Sequence, residues 1–116
     1  MLNIRALIAK ILDTLPRLTN DSIKTVKNIS LNSSGAISAG STCAVISTNV
    51  SGHIPAGYRL AFAVLRGTQN GAAVCWYFEF FPDAKTVDYR LRNVGSSTIT
   101  TSPTANLLLI KKGNNI

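Results

Sequence analysis

The sequence predicts an all-β domain: an antiparallel β-sandwich or jelly-roll-like domain of about seven strands, preceded by one short N-terminal helix. First, turn-forming residues divide the chain from residue 23 to residue 110 into β-prone segments spaced by about eight to twelve residues. Second, the composition is 46% hydrophobic but only 15% charged, which suits strands and tight turns better than helices. Third, no helical segment alternates with the strands, which excludes a doubly wound α/β fold.

The N-terminal segment has the pattern of a short amphipathic helix. Its hydrophobic residues recur at helical spacing, and Pro16 ends the pattern because the residue before a proline is pushed out of the α region. Four of these residues follow the spacing of a coiled-coil seam and are the predicted oligomerisation residues: Ile4, Ile8, Ile11 and Leu15. Isoleucine at both seam positions favours trimers or tetramers over dimers.

Several roles remain open for this helix. Two heptads alone are marginal in water, so the helix either docks on its own domain or associates with copies of itself. An interfacial membrane helix and a targeting signal are further alternatives. A secretory signal fits poorly because Lys10 and Asp13 interrupt the apolar run. The segment is too short to span a membrane, and we expect no membrane insertion.

The patterns divide the chain into four parts. We assign residues 1–16 to a helix for oligomerisation or docking, 17–27 to a connector and first strand, 28–112 to the β-sandwich domain, and 113–116 to a tail. A chain of 116 residues is expected to form one domain with a modest core.

The stretch of residues 58–93 is predicted to form three consecutive antiparallel strands, joined by turns at 67–71 and 82–85. The second strand is apolar on both faces over residues 74–81, which predicts a central strand covered on both sides, with its aromatic residues in the core. In the first strand, alternation places four large residues on one face: Tyr58, Leu60, Phe62 and Val64.

The third strand of this unit alternates strictly. Its apolar face is predicted to lie on the core and its polar face in water or on a partner: Val87, Tyr89 and Leu91 alternate with Asp88, Arg90 and Arg92. Arg90 and Arg92 are candidate contacts to a neighbouring subunit or to an anionic ligand. Solvated arginines are an almost equally good interpretation.

The net charge of the chain is +7, and its pI is near 9.9. This charge permits attraction to nucleic acid, anionic glycopolymers or membrane surfaces. However, the twelve basic residues are scattered from Arg5 to Lys112, whereas nucleic-acid footprints usually concentrate charge on one element. A role in solubility is therefore the simpler interpretation of the charge.

Groups for acid–base or metal chemistry are few. The whole stock is Asp13, Asp21, Glu79, Asp83, Asp88 and His53. Glu79 is expected to pair with an arginine across the sheet rather than to form a glycosidase-like carboxylate pair with Asp83 or Asp88. We therefore predict that the protein is not an enzyme, with no catalytic residues, no cofactor and no metal site.

The two cysteines, Cys43 and Cys75, lie in apolar strand patterns. A free thiol in such a pattern behaves as a small buried hydrophobe, and we expect this state rather than a disulfide.

Several sequence pieces together resemble a known family. They are Ala39-Gly-Ser-Thr-Cys-Ala-Val-Ile-Ser, then Ile54-Pro-Ala-Gly-Tyr-Arg-Leu, then Lys85-Thr-Val-Asp-Tyr-Arg-Leu-Arg-Asn-Val-Gly-Ser-Ser, and finally Leu107-Leu-Leu-Ile-Lys. This succession, over about residues 28–112, resembles the C-terminal β domains of tail-fibre and minor structural proteins from phages and prophages of Gram-positive bacteria. The resemblance implies a trimeric β-sandwich head on a virion fibre, although a single short helix stands here where those proteins have a long shaft.

Two functional hypotheses follow. In the first, the protein is a non-enzymatic virion structural protein, assembled in the host cytoplasm, that forms homotrimers for assembly or host-surface attachment. Its partners would be copies of itself, other virion proteins, and a host cell-surface glycopolymer or protein. In the second, it is a glycan- or nucleic-acid-binding β module that uses Arg90, Arg92 and exposed aromatic residues. The polar turns at 52–56, 67–71 and 95–97 are candidate contact loops in either case.

Overall fold

The structure, a computed structural model, describes residues 22–113 and, before them, Ile4, Arg5 and Ile8. Residues 22–113 contain six strands: β1 (Ile23–Ser30), β2 (Ile46–Asn49), β3 (Tyr58–Gly67), β4 (Ala73–Phe81), β5 (Thr86–Asn93) and β6 (Thr104–Lys111). These strands form two three-stranded antiparallel sheets, sheet I in the order β1-β6-β3 and sheet II in the order β2-β5-β4. The predicted all-β, sandwich-like fold is confirmed.

Two isolated antiparallel bridges extend the pairing between the strands. One joins Ile37 to Ile99, and the other joins Thr42 to Arg92. Residues 41–49 thus contain a bridge at Thr42 followed by the short strand β2. Strand β1 crosses the predicted boundary at residue 28, because it starts at Ile23 and pairs with β6 along its length.

The core lies between the inner faces of the two sheets. From sheet II, Val87, Tyr89 and Leu91 are fully buried, as the alternation along β5 predicts. They pack in one cluster with buried residues of sheet I, among them Leu60, Ala63, Leu107 and Leu109. Strand β6 lies in the middle of sheet I, and Pro103, buried, immediately precedes it.

The predicted three-stranded unit of residues 58–93 is wrong in its pairing. Strand β3 pairs with β6, whereas β4 pairs with β5. Residues 68–72 therefore connect two sheets rather than two neighbours in one sheet. The apolar run 107–110 of β6, distant in sequence, takes the position beside β3, and such a long-range pairing has no local signature.

The prediction that β4 is a central strand covered on both sides is also wrong. Strand β4 is the edge strand of sheet II. Val74, Cys75 and Trp76 are exposed, while Phe78 and Phe80 pack against the core. The apolar residues at the start of β4, up to the register shift at Trp76, therefore face solvent in the isolated chain.

The predicted common face of β3 is interrupted by a bulge. The register against β6 shifts between Leu60 and Phe62, so that Leu60 and Ala63 are both buried. Phe62 and Val64 are about half exposed instead. A β-bulge adds one residue to a strand and thereby reverses the alternation beyond it.

Of the predicted N-terminal helix, the described residues Ile4, Arg5 and Ile8 have helical backbone. The side chains of Ile4 and Ile8 are 68% and 51% exposed. The other two predicted seam residues, Ile11 and Leu15, lie outside the described residues. No helix among the residues described is long and apolar enough to cross a membrane.

Candidate functional site

The most unusual surface lies where the edge strands β3 and β4 meet. Five large hydrophobic side chains are exposed there and define what we call the apolar edge: Phe62 (50%), Val64 (46%), Val74 (40%), Trp76 (59%) and Phe81 (36%). The two strands adjoin, because the rings of Phe62 and Phe80 meet edge to face with centroids 5.4 Å apart. Phe62 pairs with Leu108, between the buried Leu107 and Leu109, so it points outward from sheet I, whereas Trp76 lies against Arg92 on the outer face of sheet II. Large hydrophobic side chains exposed along such a seam are candidates for an interaction surface.

Bulges determine how the apolar edge forms. On β3 the register shifts before Phe62 and again between Leu65 and Gly67. On β4 it shifts between Cys75 and Tyr77, at Trp76. Bulges twist an edge strand and re-aim its side chains, so the local backbone turns these residues away from the core.

Trp76 is held in place by Arg92. The guanidinium carbon of Arg92 lies 5.3 Å from the centre of the Trp76 ring, within the range of a cation–π interaction. Arg92 also donates from Nη1 to the hydroxyl of Thr42, at 3.3 Å. The predicted contact residue Arg92 is therefore half-buried and engaged within its own chain, where it orients an exposed tryptophan.

Arg90, the second predicted contact residue, also has an intramolecular partner. Its Nε donates a 2.9 Å hydrogen bond to the main-chain carbonyl of Cys43. Arg90 and Arg92 thus both attach β5 to the segment that leads into β2. The structure brings the two arginines to the outer face of sheet II, as predicted, and gives each a structural role there.

Glu79 lies among polar groups of the same face. Tyr77 donates from its hydroxyl to Oε2 of Glu79 at 2.7 Å, and this hydrogen bond is the main cause that raises the pKa of Tyr77. Glu79 is also the direct cross-strand neighbour of Asp88, whose Oδ1 is buried without a hydrogen-bond partner. The partner of Glu79 is thus a tyrosine hydroxyl, where the sequence suggested an arginine.

The cysteines are free and lie in different environments. Cys43 is buried, and its sulfur accepts a hydrogen bond from the Leu91 amide at 3.2 Å. Cys75 is exposed on β4 beside Trp76, contrary to the expectation that it is buried. Partial burial nevertheless raises the pKa of its thiol.

A second surface is a cluster of basic residues at one end of sheet I, which we call the basic end: Lys24, Arg59, Lys111 and Lys112, all exposed. Ile23 and Arg59 both pair with Ile110, and Tyr58 pairs with Lys111. Adjacent strands are about 4.8 Å apart, so the register gathers basic residues that are scattered in sequence. The ammonium of Lys24 lies 4.8 Å from the centre of the Tyr58 ring.

Charge is segregated between the two sheets. The strands of sheet I carry Lys24, Lys27, Arg59, Arg66 and Lys111 and contain no acidic residue. In sheet II and its β4–β5 turn, three acidic residues stand beside three basic ones: Glu79, Asp83 and Asp88 with Lys85, Arg90 and Arg92. Sheet I is therefore strongly cationic, and the acidic groups concentrate around β4.

Within the part of the chain that the structure describes, no group of three or more His, Cys, Asp or Glu residues is placed to hold a metal ion. His53 lies exposed in the short 3-10 turn Ser51–His53.

Sequence reasoning missed both surfaces for different reasons. The sequence contains a signal for the apolar edge, because the two apolar faces of residues 74–81 fit either a central strand or an edge strand at an interface. The sequence contains no signal for the basic end, because its residues come together only through the pairing of β1, β6 and β3. Protein-family models, curated proteins and solved structures gave no match to this chain.

Proposed function

We propose that this protein is a non-enzymatic structural domain that assembles into a homo-oligomer, with the trimer as its expected state. The proposed setting is a virion fibre or a related surface structure, in line with the sequence resemblance. The single observation that carries the proposal is the apolar edge, where Trp76 and four other large hydrophobic side chains are exposed on edge strands.

Exposed hydrophobic side chains of this size favour association with another protein over contact with water. Removing a large hydrophobic side chain from water contributes about 1.5–3 kcal/mol, and Trp76 on an interface would be a typical anchor residue. Edge strands also offer unpaired backbone groups to another chain, which proteins normally protect or cover. A partner on β3 and β4 would bury both.

The N-terminal segment supports the same state. Ile4 and Ile8 are helical, one turn apart, and mostly exposed. A bundle of such helices from several copies would cover them, as the seam spacing predicts. Several copies held together would then present their loops side by side, so that weak contacts to a host surface add up through avidity.

Molar mass measured by light scattering tests this proposal. We would compare the full chain, a chain that lacks residues 1–16, and the variants Trp76→Ser and Val64→Ser. Val45→Ser is the matched control, because Val45 is 53% exposed and precedes β2, at the opposite edge of sheet II. The expected result is a trimer that dissociates in both edge variants and persists in the control.

Two other outcomes carry clear meanings. A trimer that is lost only when residues 1–16 are removed would make the helix the assembly device and leave the apolar edge without its proposed role. A full chain that remains monomeric up to about millimolar concentration would contradict the proposal as a whole, because association of useful strength would be complete there.

The basic end supports a second candidate function, the binding of a linear polyanion such as a nucleic acid or an anionic glycan. Four exposed basic residues within a few residue positions create a local positive potential. Titration of labelled oligothymidylate at several salt concentrations tests it, since each phosphate contact adds about 0.7 to the salt slope for single strands. Lys111→Gln with Lys112→Gln should reduce the slope, whereas Lys27→Gln should not. Salt-independent or undetectable binding would dismiss this function.

A further inference from the structure

We infer that the apolar edge joins two copies of the chain through its two different halves. The β3 half of one copy, Phe62 and Val64, packs against the β4 half of the next copy, Val74, Trp76 and Phe81. This inference rests on the proposed self-association and specifies its geometry. The occupant of the edge is therefore a second copy of the same chain, in a fixed orientation.

The charges that flank the two halves are complementary. On β3, the exposed Arg59 and Arg66 stand on either side of Phe62 and Val64. On β4 and the turn after it, the exposed charged residues are Glu79 and Asp83, both acidic, whereas the basic residues beside them, Lys85, Arg90 and Arg92, are half-buried. Contact between two β3 halves would bring arginines together, and contact between two β4 halves would bring carboxylates together. Contact between unlike halves pairs opposite charges around an apolar centre, and such complementarity fixes the orientation of partners.

The position of the halves allows such contacts to close into a ring. The two halves flank one seam, because Phe62 of β3 contacts Phe80 of β4. If this seam of every copy faces a common axis, each copy uses its β3 half once and its β4 half once. Head-to-tail contacts can close into a ring, and a ring of three copies is the expected trimer.

The bulges favour closure over open-ended growth. Regular edge strands extend a sheet through backbone hydrogen bonds and invite aggregation. Here β3 is interrupted at two points and β4 at one. Side chains rather than a continuous backbone ladder would therefore form most of the contact, which limits growth beyond the ring.

The same charges oppose other occupants. A nucleic acid or an anionic membrane on the β4 half would meet the exposed carboxylates of Glu79 and Asp83, whereas Arg92 beside Trp76 is half-buried and engaged within the chain. Repulsion of phosphate by these groups makes the β4 half a poor polyanion site. The exposed arginines of the β3 half, Arg59 and Arg66, are complemented by the carboxylates that the β4 half of a second copy supplies.

Charge inversion on the full-length chain tests the inference. One variant carries Arg59→Glu and Arg66→Glu, a second carries Glu79→Arg and Asp83→Arg, and a third carries all four substitutions. All four side chains are exposed, so circular dichroism should show folded proteins. We expect the dissociation constant to rise at least about tenfold in each of the first two variants, and the combined variant to return to within about threefold of the wild type.

A control carries Lys27→Glu, an inversion of charge on β1, which is the opposite edge of sheet I from β3. It should leave association unchanged. If the wild type is oligomeric and both inverted variants associate as strongly as the wild type, this inference is overturned but the proposed function stands. The same conclusion follows if the variant with all four substitutions remains dissociated. A wild type that is monomeric would instead remove the proposed function itself.

Mixing the two inverted variants in equal amounts gives a further check. In a ring of two copies, each contact joins one variant to the other and pairs opposite charges, so a dimer is fully restored. In a ring of three copies, at least one contact must join two copies of the same variant. Like charges meet at that contact, so the ring remains weakened. Full restoration of a trimer by mixing would contradict contact between unlike halves.

Discussion

The hydroxyl of Tyr89 donates a hydrogen bond to the main-chain carbonyl of Asn32. Tyr89 is fully buried in the middle of β5, so this bond ties the central strand of sheet II to the loop that follows β1 of sheet I. The same loop is held at a second point, since the amide of Asn32 donates to the hydroxyl of Thr48 on β2. The two sheets are therefore joined through polar contacts as well as through the core.

Removal of this hydroxyl should destabilise the fold. In Tyr89→Phe the ring remains but the carbonyl of Asn32 loses its partner, and we expect a loss of about 1–2 kcal/mol in the free energy of unfolding. Urea denaturation measures it. Tyr77→Phe is the matched control, because its hydroxyl bonds Glu79 on the outer face, and it should cost less than about 0.5 kcal/mol. Equal losses in the two variants would mean that the Asn32 contact contributes nothing particular.

Stability at high pH should depend on the same residue. Burial, with a smaller contribution from Cys43, raises the pKa of Tyr89 to about 12 from an ordinary value of 10.0. Below pH 10 both the folded and unfolded states keep the proton. Between pH 10 and pH 12 the unfolded state loses it first, so the contribution of Tyr89 to stability falls as the pH rises. Unfolding free energies of the wild type and Tyr89→Phe should therefore converge over this range, and a constant difference would contradict the assignment.

The alternation of β5 could be predicted because it is local. Val87, Tyr89 and Leu91 sit two residues apart, and a strand with one buried face needs no knowledge of its neighbours. The pairing of β3 could not be predicted in this way. Its partner β6 lies about forty residues away, and the apolar residues of β4 fit a central strand as well as they fit an exposed edge. In addition, the bulge before Phe62 places Phe62 and Val64 on the opposite face of β3 from the face that regular alternation predicts.

The candidate surfaces show the same limit. Arg90 and Arg92 were identified as polar-face residues from sequence, but their partners, the Cys43 carbonyl and the Thr42 hydroxyl, lie almost fifty residues earlier. Likewise, Lys24 and Lys111 become neighbours only through strand register. Residue types and periodicity predict which face a side chain occupies, whereas the identity of its contacts depends on the tertiary fold.

The loop after β5 should tolerate no side chain at Gly95. A Cβ there would lie 2.9 Å from Cβ of Ala72 and 3.3 Å from Oδ1 of Asn93. Asn93 is fully buried, and its amide bonds the carbonyls of Ile37 and Ser97. Because Cβ of Ala72 is fixed to its own backbone and this network holds Asn93, we expect Gly95→Ala to destabilise the fold by about 1–3 kcal/mol.

Gly71→Ala is the control for that substitution, since a Cβ at Gly71 meets nothing within 4 Å. It should change the free energy of unfolding by less than about 1 kcal/mol. Thermal unfolding of the two variants side by side provides the comparison. A Gly95→Ala variant as stable as Gly71→Ala would mean that the Asn93 network yields easily.

The two thiols should differ in reactivity, and the difference reports on the apolar edge. Cys75 is exposed beside Trp76 and Cys43 is buried, so Ellman's reagent should modify one thiol per native chain and two after denaturation. The raised pKa of Cys75 lowers its thiolate fraction at neutral pH, so its reaction should be slower than that of free cysteine and accelerate as the pH rises. Cys75→Ser should abolish the native reaction, and Cys43→Ser should preserve it.

If a second copy covers β4, the rate of modification at Cys75 should also fall as the protein concentration rises, and it should not fall in Trp76→Ser. A rate independent of concentration in an oligomeric wild type would place the interface away from β4.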